Sequence, residues 1–76
     1  MREKIYELLY EVRPENDFRD SSDFVDEFLL DSLDILELVS LIEEKFRVEI
    51  TPDDIIPENF RSVDEIETMI KNNKMD

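Results

Sequence analysis

Apolar positions repeat at about 3.6 residues in three stretches of the chain. Ile5, Leu8, Leu9 and Val12 fall at i, i+3, i+4 and i+7, one face of a helix, with Glu3, Lys4, Glu7 and Glu11 off that stripe. Tyr6 and Tyr10 flank it as an i,i+4 pair. Pro14 disfavours helical backbone at Arg13, so the first helix is expected over 2–12. Ile35, Leu38, Val39, Ile42 and Phe46 form the second stripe and predict a helix over 32–46, with Asp34, Glu37 and Glu44 on its solvated side. Val63, Ile66, Met69 and Ile70 predict a third over 63–73. Ser62 and Glu65 stand at capping-box spacing at its start, and Lys71 and Lys74 suit the dipole at its end.

The intervening segments are not free linkers. Residues 13–30 hold turn formers such as Pro14, Asn16, Asp20 and Ser22, but also Phe18, Phe24, Val25, Phe28, Leu29 and Leu30. A packed loop pinned by its phenylalanines is expected, with a turn of helix near 22–27. Arg47-Val48-Glu49-Ile50 alternates, but no second strand exists to pair with it, so it reads as an extended connector burying Val48 and Ile50. Thr51 as N-cap and Pro52 at the first helical position predict a short helix over 52–56, with Ile55 and Ile56 facing in and Pro57 ending it. Phe60 reads as a core anchor, and Asn59 as a residue able to turn left-handed in a chain without glycine. The fold class is therefore all-α: a small bundle of three main helices and one short one, a single domain over 1–76. Helices this short are marginal alone in water, so the stripes must pack on one another.

Two leucines break the pattern of the second helix. Leu33 falls nearly opposite the core stripe and Leu36 at its border, ringed by Asp34, Glu37, Glu43 and Glu44. An apolar centre with an acidic rim reads as a contact surface.

Composition then removes whole classes of chemistry. The chain has no cysteine, histidine, tryptophan or glycine. Disulfides, Ser-His and Cys-His nucleophilic pairs, the usual zinc sites and glycine-rich phosphate loops are thereby excluded. The carboxylates of Asp17 to Asp26 lack the spacing and the glycine of a calcium loop, so no metal site is expected. Nine Lys and Arg against 22 Asp and Glu give a net charge of -13, which repels nucleic acid and anionic lipid and suits a basic protein surface. Met1-Arg2-Glu3-Lys4 does not resemble a signal peptide, and no apolar run is long enough to span a membrane. A monomeric, soluble, cytoplasmic protein without catalytic machinery of its own is expected.

Ser32 remains, between Asp31 and Leu33 where the second helix begins. By residue type, Asp31 or Ser32 could each serve as the N-cap. The same position also suits a phosphoester, because a helix N-terminus favours bound phosphate.

Asp31-Ser32-Leu33-Asp34, followed by Glu37-Leu38-Val39 and Ile42-Glu43-Glu44-Lys45-Phe46, closely resembles the phosphopantetheine attachment region of acyl carrier proteins. The likeness continues through Val48-Glu49-Ile50 and Asp53-Asp54. The resemblance implies the small four-helix bundle of that family and a non-catalytic role. A phosphopantetheinyl transferase, using coenzyme A and magnesium, would attach 4'-phosphopantetheine to Ser32, and the arm's thiol would carry acyl groups as thioesters. It further implies that Asp31, Leu33, Asp34, Leu36, Glu37, Glu43 and Glu44 meet basic docking sites on a loading ligase, synthase or transferase. Acyl chains would slip among Leu38, Ile42, Phe46, Ile55 and Ile66. Fatty-acid or polyketide synthesis is the implied setting. An aminoacyl or D-alanyl carrier is the near alternative, and an unmodified acidic adaptor the distant one. The chain departs from the family at Leu29, where many members have glycine, and at Ser40, where fatty-acid carriers often have methionine.

Overall fold

The structure, a computed structural model, describes residues 1–73. Helix α1 (Arg2–Val12) buries Ile5, Leu8 and Leu9 and ends at Arg13, whose N–H reaches Leu9 O at 2.9 Å. Helix α2 (Ser32–Phe46) buries Ile35, Leu38, Val39 and Ile42, and helix α3 (Val63–Asn72) buries Val63, Ile66, Met69 and Ile70. Helix α1 packs against both others. The three stripes fall where their periods put them, and Phe60 is buried among them. Ser62 Oγ accepts the Glu65 N–H at 3.3 Å, capping α3. Lys74, expected at the end of that helix, lies outside the described residues. No helix among the described residues is long and apolar enough to cross a membrane.

The expected short helix over 52–56 is replaced by two 3₁₀ turns, Pro52–Asp54 and Pro57–Phe60. Pro57 supplies the reason. It has no N–H to donate back to Asp53, so an α-helical turn cannot propagate past Ile56 and the chain restarts with Pro57 as a new first position. Thr51 makes no side-chain capping bond. Ile56 is 42% exposed instead of facing in, and Ile55 is half-buried. Asn59 sits inside the second 3₁₀ turn, not in a left-handed conformation, and its side-chain amide donates to Asp54 O at 2.8 Å.

The long loop is pinned by two phenylalanines. Phe18 and Phe24 are buried and meet edge to face at 5.2 Å, with Tyr10 against Phe18 at 5.6 Å. The expected helical turn is present and capped at both ends. Asp23 Oδ1 accepts the N–H groups of Val25 and Asp26 at 3.0 and 2.9 Å, and the Glu27 N–H reaches Asp23 O at 3.0 Å. Phe24 O then accepts from Leu29 and Val25 O from Phe28, the paired bonds of a Schellman ending. In that motif the penultimate residue is left-handed and usually glycine. Here it is Phe28, at φ 60°. A bulky side chain there costs roughly 1–2 kcal/mol. Phe28 is therefore not a pin: it is 91% exposed. The turn is tied to the other side of the molecule by Phe24 N–H to Arg61 O at 2.7 Å and by Arg61 to Asp23 at 3.0 Å.

What fixes the start of α2 is a cluster of charges at its first turn. Asp31, extended at φ -104°, is the N-cap: its Oδ1 accepts the Asp34 N–H at 2.9 Å, and Asp34 Oδ2 accepts the Asp31 N–H at 3.1 Å. Arg13, just past the end of α1, reaches Asp34 through Nε at 2.8 Å and Asp31 through a terminal nitrogen at 3.3 Å. Asp34, expected on a solvated face, is instead only 6% exposed. Its carboxylate satisfies a backbone donor and a guanidinium at once.

Two outcomes follow from these locks. Asp34→Ala leaves the Arg13 guanidinium and the Asp31 N–H without that acceptor, which costs about 1–3 kcal/mol. Thermal unfolding should therefore drop by roughly 4–8 °C for each kcal/mol lost, whereas Glu37→Ala on the outer face should leave it nearly unchanged. The second outcome concerns acid. The Asp26 N–H, ahead of the Arg61 guanidinium, holds the Asp23 carboxyl below its ordinary value. The ionised form therefore stabilises the fold above the unfolded value of about 3.9, and that contribution is lost as pH falls through the lowered folded value. In melts at a series of pH values, the Tm gap between wild type and Asp23→Asn should be flat from pH 7 to about 5 and should narrow below pH 4. A gap that held constant into strong acid would contradict this.

Candidate functional site

With Asp31 as the cap, Ser32 is the first residue of α2 and is not needed to terminate it. Its side chain is exposed, and Ser32 Oγ makes no hydrogen bond among the described residues. The choice left open by residue type is thus decided by geometry: the carboxylate caps and the hydroxyl is left to solvent. Asp31 is held ionised beside it. The Asp34 N–H above all, with the Arg13 charge, keeps its carboxyl below the usual value. The dipole of a 15-residue helix points its positive end at the Ser32 hydroxyl, so an anion bonded there is stabilised.

Ser32 lies between two shallow apolar grooves. One, of about 270 Å³, is lined by Val25, Phe28, Leu30, Asp31, Ser32, Ile35 and Pro57. The other, of about 220 Å³, is lined by Ser32, Ile35, Leu36, Ile55, Ile56 and Pro57. Ile35 and Pro57 are common walls, so an elongated group leaving the Ser32 oxygen can lie along either side. An exposed, uncommitted hydroxyl at a helix N-terminus, open to apolar troughs, fits a phosphodiester-linked arm with an apolar cargo.

The expected docking residues divide into two sets. Leu33 is 76% and Leu36 55% exposed, and Glu37 and Glu44 are exposed on the same helix, as the helical wheel placed them. Asp34 is buried in the Arg13 clamp and Glu43 is half-buried, accepting the Ile50 N–H at 2.9 Å. Asp34 and Glu43 thus hold the fold, one at each end of α2. The residues expected around an acyl chain divide as well. Leu38, Ile42 and Ile66 are fully buried in the packed core, Phe46 is half-buried at the far end of α2, and Ile55 alone of the five lines a groove that reaches Ser32.

Sequence reasoning missed Arg13 and the wall of Val25, Phe28, Ile35 and Pro57. Arg13 was hidden because it lies between a helix end and a proline, where no period operates. A signal for Phe28 did exist. Asp23 followed three residues later by the Asp26 N–H reads as a one-turn cap, and the closing position of that turn falls on Phe28.

A family model, the phosphopantetheine attachment site, matches residues 2–70. The acyl carrier protein of Wolinella succinogenes is 36% identical over 74 residues, covering 97% of this chain and 92% of that protein. The acyl carrier protein of Chlamydia muridarum is 42% identical over 55 residues, 72% of this chain and 68% of that protein. The acyl carrier protein of Helicobacter hepaticus is 36% identical over 59 residues, 78% and 75% of the two chains. No solved structure matches the chain. Proteins of this kind are carriers, not catalysts, and are handled by a phosphopantetheinyl transferase and by acyl-processing enzymes. The chain belongs to the acyl carrier protein family, and its attachment site takes phosphopantetheine as cofactor.

Proposed function

We propose that Ser32 is the residue that bears the arm, and that the protein carries acyl groups as thioesters for fatty-acid, polyketide or related synthesis. The observation that carries this reading is the Ser32 hydroxyl itself: exposed, released from capping by Asp31, and placed at a positive helix end between two grooves. In the modification, Ser32 Oγ attacks the pyrophosphate phosphorus next to pantetheine in coenzyme A. The Ser–O–P bond forms, the bond to the adenosine 3',5'-bisphosphate breaks, and the hydroxyl proton passes to the transferase or solvent. When bound, the group supplies the thiol that a chain without cysteine lacks.

Everything else is the work of the chain's own residues. Arg13 and Asp31 hold the first turn so that Ser32 stays at the exposed start of the helix, and the helix dipole stabilises the phosphodiester. Leu33 and Leu36 supply the apolar centre of a docking face, with Glu37, Glu44 and ionised Asp31 around it to pair with a basic partner. The groove walled by Leu36, Ile55, Ile56 and Pro57 shelters the start of the cargo. The three relatives described above are all named as acyl carrier proteins, which favours acyl over aminoacyl cargo.

Intact-mass analysis after incubation with a phosphopantetheinyl transferase, coenzyme A and magnesium tests the attachment. One phosphopantetheinyl group should be gained by the wild-type chain and none by Ser32→Ala. Mass gain on the alanine variant would remove Ser32 from the site. The docking face makes a separate prediction in stopped-flow association with a loading enzyme. The Debye length falls from ~30 Å at 0.01 M to ~10 Å at 0.1 M salt, so the association rate should fall steeply across that range. Glu37→Lys should lower the rate at low salt and flatten the dependence, and an unchanged slope would count against the acidic face.

A further inference from the structure

We infer that Phe28 is a docking anchor for the phosphopantetheinyl transferase: its ring, held out beside Ser32, enters an apolar pocket with a basic rim on that enzyme. This rests on the reading of Ser32 as the modified residue and extends it to the groove beside Ser32 that neither Leu33 nor Leu36 lines.

The structure holds the ring outward at a cost to itself. Phe28 fills the left-handed closing position of the Asp23–Leu29 turn, at φ 60°, where glycine or asparagine fits without strain. Nothing in the core compensates for this, because the side chain is 91% exposed, the largest exposure of any large apolar residue among the described residues. Nor is the turn loose. Asp23 caps it, Phe24 is buried beneath it, and Arg61 ties it down from across the molecule. A solvent-facing aromatic on a strained and firmly supported backbone suits a binding anchor, since the turn that presents it is ordered before the partner arrives.

Its position selects the occupant. Phe28 lines the same groove as Ser32, together with Val25, Ile35 and Pro57. An enzyme whose reacting centre closes on Ser32 Oγ must cover the surface around it, and the Phe28 ring is part of that surface. The transferase is the partner that must reach the hydroxyl itself. Later partners meet the cargo at the end of a flexible arm. Asp31 lines the same groove, and exposed Asp26 and Glu27 precede Phe28 in the chain. Each keeps its charge although Arg13 and Arg61 reach Asp31 and Asp26 and the Ser21 and Ser22 hydroxyls donate to Glu27, so a cationic rim complements this acidic edge.

The test is steady-state phosphopantetheinyl transfer from coenzyme A, with magnesium and a purified transferase, on wild type, Phe28→Ala, Phe28→Asn and Phe28→Tyr, alongside their Tm values. Truncating a central aromatic anchor typically weakens binding roughly tenfold or more, so KM should rise by about that factor for Ala and Asn with kcat little changed. The Tyr variant should stay near wild type. Phe28→Asn, which relieves the backbone, should melt no lower than wild type, so that a stable variant is the poorer substrate. Wild-type kinetics in Ala and Asn would overturn the inference. So would a loss that merely follows a lowered Tm. A wild-type dimer in sedimentation that Phe28→Asn dissolves, with transfer kinetics unchanged, would assign the ring to a second copy and also overturn it. If the wild-type chain accepts the group at Ser32 while the Phe28 variants are indifferent, only this inference falls. If Ser32 accepts nothing, the attachment reading falls and takes this one with it.

Discussion

The rest of the molecule depends on how Arg13 closes on Asp34. A buried carboxylate is costly unless its charge is paired and its lone pairs are met. Asp34 meets both conditions, through Arg13 Nε at 2.8 Å and the Asp31 N–H at 3.1 Å. Because those two groups come from the end of α1 and the start of α2, satisfying the charge fixes where two helices begin and end relative to each other. It also assigns the cap. Once Asp34 has tied the Asp31 backbone, the Asp31 side chain is positioned to return the bond to the Asp34 N–H. Ser32 is thereby excluded from the capping role that its residue type would otherwise give it.

The same constraint explains which parts of the chain could be read without coordinates. The three helices rest on period, and period is local: Ile5 to Val12, Ile35 to Phe46 and Val63 to Ile70 each announce their own buried face. Leu33 and Leu36 were legible for the same reason, as departures from a period. Asp34 was misplaced because a helical wheel sees only residue type and angle. It cannot see that Arg13, 21 positions earlier, will turn an apparently solvated carboxylate into a buried one. Ser32 stood out through its neighbours in sequence. Its freedom from capping did not, because Asp31 and Ser32 are equally good caps and only the fold decides between them.

The segment from Thr51 to Phe60 failed for a different reason. Both prolines were read correctly as punctuation, but a proline that ends one helix is also a good first residue for another. Two 3₁₀ turns result where one short α-helix was expected, and the shift turns Ile56 outward and makes Pro57 a wall of both grooves beside Ser32. A small error in secondary structure thus concealed part of the candidate site. The absence of glycine had a similar effect. Left-handed backbone is needed at the end of the 24–28 turn and after α2, and Phe28 and Arg47 supply it at φ 60° and 54°. With no glycine to mark such positions, Arg47 was not visible in advance and Phe28 only indirectly, through the cap spacing that begins at Asp23.

Charge is the remaining feature that ties fold to function. A net charge of -13 on so short a chain opposes its own compaction, and the fold answers by placing its arginines where carboxylates crowd. Arg2 pairs with Asp64, Arg13 with Asp31, Asp34 and Glu15, Arg19 with Glu3, and Arg61 with Asp23 and Asp26. Most of these pairs are half exposed and individually weak, so their value lies less in stability than in location. They gather positive charge at the seams between α1, the loop, α3 and the start of α2. The outer face of the first turns of α2, at Leu33, Leu36 and Glu37, is left negative around an apolar centre. On α2 the same division holds within one helix: Asp34 is neutralised where the helix meets Arg13, while Glu37 and Glu44 on the outer face are left exposed, without an ion pair among the described residues, and free to meet a basic partner.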